Sequence, residues 1–181
     1  MELSIIQHTK DNQPQKIEIN EVVARIRDEH WPPGYQPLLL VQGVFEGGTR
    51  QDDIVSLSGL SIVRFKADPA LLEAVRDDPH TLLAFTSADM LNILYRYEVD
   101  TGYEVRLQRQ FYKKAFLYGN DYYRQLLEQE PVSVGKDTDK RCILAHDPQA
   151  YYNPQADFFH PFGVPTPNRA RIKRPRLKPA T

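Results

Sequence analysis

A chain of 181 residues with 41% hydrophobic and 26% charged residues fits one domain with a packed core, and no apolar run approaches the roughly 18 to 20 residues that span a bilayer, which excludes a spanning apolar helix and leaves a membrane role without support. The single cysteine, Cys142, excludes an intrachain disulfide framework, and Met1 to Ser4 has neither the basic start nor the apolar stretch of a signal peptide, so a reduced, cytoplasmic setting is expected. The net charge of −1 hides an asymmetry: residues 1–158 carry 17 Lys and Arg against 24 Asp and Glu, whereas residues 159–181 carry six basic residues and no acid.

Leu3 to His8 alternate weakly and predict a first strand, with a second over Lys16 to Ile19 after the polar turn Asp11-Asn12-Gln13-Pro14. Asn20 can cap a helix that turns Val22, Val23 and Ile26 inward and stops before Pro32-Pro33-Gly34. Pro37 to Phe45 is so continuously apolar that it predicts one buried strand, followed by a turn at Glu46-Gly47-Gly48-Thr49. Ser58 to Lys66 predicts the next strand. Asp68-Pro69 then opens a short helix, to about Asp78, that buries Leu71, Leu72 and Val75. Leu82 to Thr86 and Leu91 to Tyr97 read as strands around Ser87-Ala88-Asp89. A long helical stretch runs from about Val105 to Leu127, with a break expected at Gly119-Asn120 and with Phe111, Ala115, Leu126 and Leu127 inward. Arg141 to Ala145 gives a last short strand. This order of strands and helices predicts an α+β, mixed-sheet α/β domain over residues 1–158, a sheet flanked by helices. From Pro161 onward five prolines interleave with Arg169, Arg171, Lys173, Arg174, Arg176 and Lys178, which predicts an extended basic tail over residues 159–181.

Four segments, in order, carry a family resemblance: Leu39 to Phe45 with Gly43-Val44-Phe45; Ile54 to Leu60; Thr81 to Tyr95 with Ala84-Phe85-Thr86-Ser87; and Lys136 to Pro148, followed by Tyr151-Tyr152-Asn153-Pro154. Together they resemble the VirE N-terminal type of primase-polymerase-like domain. That resemblance implies a mobile-element, phage or plasmid setting and DNA replication or mobilisation. In that family the strand matching Ser58 to Lys66 carries Asp-x-Asp, where this chain has Arg64-Phe65-Lys66. Two carboxylates two apart on a strand share a face and hold a pair of cations. Arg64 and Lys66 keep the spacing and invert the sign. The turn that would meet nucleotide phosphates reads Ala88-Asp89-Met90-Leu91-Asn92 and lacks the glycines that permit close backbone approach.

The expectation is therefore a non-catalytic accessory protein that binds nucleic acid or a protein partner, with no catalytic residue, no metal and no cofactor. Arg64, Lys66 and Arg141, together with the six tail cations, are the expected phosphate or nucleic-acid contacts. Six neutralised phosphates would give a log–log salt slope of about −5 on duplex DNA. Other outcomes stay open: Arg64 and Lys66 as solvated residues or contacts for an acidic partner, an active nucleotidyl transferase or nuclease using Asp89, Asp137 and Asp139, or a purely structural interaction module. His8, His30, His80, His146 and His160 show no zinc-ligand spacing. Cys142 in its apolar strand reads as a packing residue. The stretches Tyr95-Arg96-Tyr97, Tyr122-Tyr123 and Tyr151-Tyr152 suit either base stacking or a core.

Overall fold

The computed structural model describes residues 1–7, 13–28, 38–48, 50–132 and 141–160. β1 (Glu2–Gln7), buried on both faces from Leu3 to Ile6, and β2 (Pro14–Glu18), which buries Ile17, form an antiparallel pair with Leu3 opposite Ile17. Helix α1 (Ile19–Asp28) follows without a gap and buries Ile19, Val22, Val23 and Ile26. Asn20 lies inside this helix instead of capping it, and its Oδ1 accepts a hydrogen bond from the Tyr152 hydroxyl at 2.6 Å. Pro32-Pro33-Gly34 lies outside the described residues.

The apolar run expected as one strand is two. β3 (Leu38–Val41) pairs with β1, bends at Gln42 and continues as β4 (Gly43–Phe45), which pairs with β5 (Ile54–Leu57) in a separate two-stranded sheet. Gly43 makes the change of sheet possible, because a Cβ there would stand 2.9 Å from the Ser56 carbonyl oxygen. Gly59, at φ +71°, then reverses the chain into β6 (Leu60–Lys66), and its carbonyl accepts from the Tyr97 N–H at 2.8 Å. Asp68 caps α2 (Pro69–Arg76) by accepting from the Ala70 N–H at 2.8 Å, with Pro69 in the first turn where no N–H is needed.

β7 (Thr81–Ser87) and β8 (Met90–Tyr97) form a hairpin with Ser87 opposite Met90. Helix α3 (Val105–Leu127) is unbroken. Gly119 sits inside it because a Cβ there would overlap the ring of Tyr95. Ala115 and Leu127 point inward as expected, whereas Leu126 is exposed. β9 (Arg141–Ile143), β10 (Tyr151–Tyr152) and β11 (Phe158–Phe159) are the remaining described strands.

The four-stranded sheet has the order β2-β1-β3-β9, and in the five-stranded one β8 pairs antiparallel with both β7 and β6, while β10 adds to β7 and β11 runs parallel to the end of β8. The fold is α+β; among the described pairs the four-stranded and two-stranded sheets are antiparallel and the five-stranded sheet is mixed, through β11. Period-two alternation sorts the five-stranded sheet between two cores. Ile62, Phe85 and Leu94 pack with α1 and with Leu3, Ile5, Leu40 and Cys142 of the four-stranded sheet. Val63, Phe65, Ile93 and Tyr95 pack with Leu71 and Val75 of α2 and Tyr112, Ala115 and Tyr123 of α3. Among the described residues no helix is long and apolar enough to cross a membrane.

Candidate binding cleft at the end of the central hairpin

Arg64 and Asn92 stand directly opposite each other across the β6–β8 pair, so their side chains share a face. Asn92 is a polar residue in a buried strand, 1% exposed, and it is satisfied there: its Nδ2 donates to the Ser87 Oγ at 2.8 Å and its Oδ1 faces the Cys142 Sγ at 3.8 Å. Cys142 comes from β9 of the other sheet and is fully buried. Burial pushes its thiol up to about 11, and the Arg64 guanidinium, hydrogen-bonded to it, pulls in the opposite direction.

Beside this cluster opens a cleft of about 530 Å³. Arg64, Ser87, Ala88, Asp89, Met90 and Asn92 line it from the five-stranded sheet, and Ile143, Leu144, Ala145 and His146 from the end of β9. Ala88 holds the hairpin turn with φ 52°, a left-handed conformation that costs an alanine roughly 1 kcal/mol. The turn is fastened to the end of β6, because the Ala67 N–H donates to the Asp89 carbonyl at 2.7 Å. Asp147, one residue beyond the cleft, is spent on structure. Its two carboxylate oxygens accept from the Thr86 N–H at 2.8 Å and the Gln149 N–H at 2.9 Å, and its own N–H donates to the Ile26 carbonyl. The loop bearing His146 is thereby tied to both β7 and α1.

The expected site residues separate. Arg64 and Lys66 lie on one face of β6, as their spacing predicts, but β6 pairs only with β8 among the described residues, so it is not a central strand. Its outer side is met at Arg64, whose carbonyl accepts from the Val132 N–H at 2.8 Å. Arg64 lines the cleft, while Lys66 is exposed beyond its lining. Arg141 opens β9 with its backbone paired to Val41. Asp137, Asp139, Arg169, Arg171, Lys173, Arg174, Arg176 and Lys178 lie outside the described residues, as do His8 and His30. Among the described residues no group of three or more His, Cys, Asp or Glu is placed to hold a metal ion. Tyr95, Tyr97 and Tyr123 belong to the core, packed around α3 and Phe159, so they offer no stacking surface.

Cys142 and His146 were not expected at a site, and Asn92 was expected only as the end of the altered turn. Asn92 alone left a signal, as the one amide in the otherwise apolar run Leu91-Asn92-Ile93-Leu94, where a buried amide must find partners.

Neither the curated proteins nor the solved structures yield a match. A family model does match, over residues 35–152, and it is that of the BT4734-like N-terminal domain. This corrects the expected VirE-type primase-polymerase-like assignment, which rested on four short, separated segments, each too short to single out one family. With well over half of its length matched, the chain belongs to the family of BT4734-like N-terminal domains.

Proposed function

We propose that the protein is a non-catalytic binding module that takes a phosphate-bearing strand of nucleic acid in the cleft at Arg64. The observation that carries this is the pairing of one guanidinium with apolar walls. Arg64 offers a planar set of donors suited to a phosphate, while Met90 and the half-exposed Ile143 offer surface for a base. Lys66, two residues on and exposed, extends the positive face along the strand. The absence of chemistry is supported by how the reactive groups are used: the Cys142 thiol is buried and raised to about 11, and Asp147 is occupied by backbone donors.

The test is fluorescence anisotropy with labelled single-stranded DNA and RNA and with a duplex, across a salt series. Single strands should bind at low salt. Arg64→Ala should weaken binding about tenfold or more, since a hydrogen bond to a charged group is worth ~1.5–3 kcal/mol. Lys66→Ala, at an exposed position that the fold does not need, should flatten the log–log salt slope by about 0.7 on a single strand. No binding at low salt, or binding that neither substitution alters, would overturn the proposal.

A further inference from the structure

A second cleft, of about 820 Å³, opens at the opposite end of β6 and β8, where Gly59, Arg96 and Tyr97 meet the start of α3. Its walls are aromatic. Tyr103, Phe111 and Phe158 line it over the buried Tyr97, with Tyr103 49% and Phe158 37% exposed and the Tyr103 and Phe111 rings 5.9 Å apart. Its available charge is negative. Glu98 and Asp100 line it, and the segment from Glu98 to Glu104 holds three acids and no base. Its cations are already engaged: Arg96 stacks on Phe158 at 4.3 Å and donates to the carbonyls of Pro154 and Ala156, and the Met1 ammonium, also in the lining, pairs with Glu18 at 2.7 Å.

Exposed rings flanked by acids are the chemistry that receives a proline-rich, cationic segment. Prolines in an extended helix lie against aromatic faces, and Arg or Lys beside them meets the acids. This chain supplies such a segment at the mouth of the cleft. β11 brings Phe158 into the lining, and the next residue after that strand, His160, places its Nδ1 3.1 Å from the Glu98 Oε2. Residues 161–181 follow directly, with five prolines, six basic residues and no acid. We infer that the aromatic cleft is the docking site of the chain's own C-terminal segment, with Pro161, Pro165 and Pro167 against the rings and the cations that follow neutralising the 98–104 acids. The segment is long enough, since an extended proline-type helix advances about 3.1 Å per residue.

The experiment uses the full chain without nucleic acid, so its outcome is independent of the Arg64 cleft. A photo-crosslinking phenylalanine analogue replaces the half-exposed Tyr103, and a mixture of isotopically heavy and light chains is irradiated and mapped by mass spectrometry. Cross-links to residues 161–181 within one chain are expected, and the pair Glu98→Gln with Asp100→Asn should lower their yield severalfold. Trypsin should also cut after Arg169 and Arg171 severalfold more slowly in the intact chain than in a synthetic peptide of residues 161–181. Heavy-to-light cross-links would put the segment of a second copy in the cleft and overturn the intrachain assignment. No cross-link to the segment, or cleavage as fast as in the free peptide, would overturn docking altogether.

Discussion

Single residues decide several local outcomes here, and Gly119 is the clearest. Placed in mid-helix, a glycine gives up roughly 1 kcal/mol of helix propensity relative to alanine, so Gly119→Ala would be stabilising if α3 stood alone. It does not, because the space a Cβ would take is filled by the ring of Tyr95, a fully buried side chain whose hydroxyl donates to the Phe116 carbonyl at 3.4 Å. Overpacking of a filled core costs about 1–3 kcal/mol, which outweighs the propensity gain. Gly119→Ala should therefore lower the denaturant midpoint at unchanged slope. Tyr95→Phe in the same chain should restore part of the loss by removing the hydroxyl oxygen from the contact. A midpoint that rises in the single variant would mean that α3 is not seated on Tyr95. The same residue explains why a break in α3 was expected: glycine beside asparagine carries a turn signal locally, and only the tertiary contact reveals that the missing Cβ serves packing.

At the level of elements, α2 is a short helix whose start is written in two residues. Asp68 satisfies the Ala70 N–H and Pro69 fixes the first helical φ, so the eight-residue helix has little else to hold its first turn. Asp68→Ala should cost about 1 kcal/mol, the usual loss for such a cap, while Asp68→Asn should cost far less. Thermal or urea unfolding of the two variants checks this, and equal losses would show that charge, not the cap hydrogen bond, matters. Elements with such local signatures were legible in the sequence: α2 from its cap, the β7–β8 hairpin from its turn, α3 from its long period. The change of sheet at Gln42 was not. Pro37 to Phe45 is apolar on both faces, so no alternation marks where pairing with β1 ends and pairing with β5 begins. The deciding facts are a bend and a close approach of Gly43 to Ser56, neither of which is a property of the run itself.

Across the whole molecule, periodicity told which side chains share a face but not which faces meet. Arg64 and Lys66 were legible as a same-face pair, whereas the convergence of Arg64 with Asn92, Cys142 and His146 depends on β9 of one sheet lying against β6 and β8 of the other. That burial has a measurable consequence at high pH. Desolvation raises the Cys142 thiol from its ordinary 9.0 to about 11, and burial holds the hydroxyls of Tyr95, Tyr97 and Tyr123 above their ordinary 10.0. Tyr122 moves the same way through burial and through its hydrogen bond to Asp78. In each case the folded state keeps a proton that the unfolded chain releases, so stability falls as pH rises through this range. The contribution is complete below the ordinary value of each group and is lost progressively above it. The melting temperature should therefore begin to fall near about pH 9, through Cys142, and drop more steeply above about pH 10 as the tyrosines join. Cys142→Ala should remove the first part of the decline and leave the second. Tyrosinate absorbance should rise together with unfolding for the buried rings instead of ahead of it. Thermal melts across the alkaline range, followed by circular dichroism and by tyrosinate absorbance, make the comparison, and a melting temperature that stays level to about pH 11 would mean that these rings and this thiol are open to water.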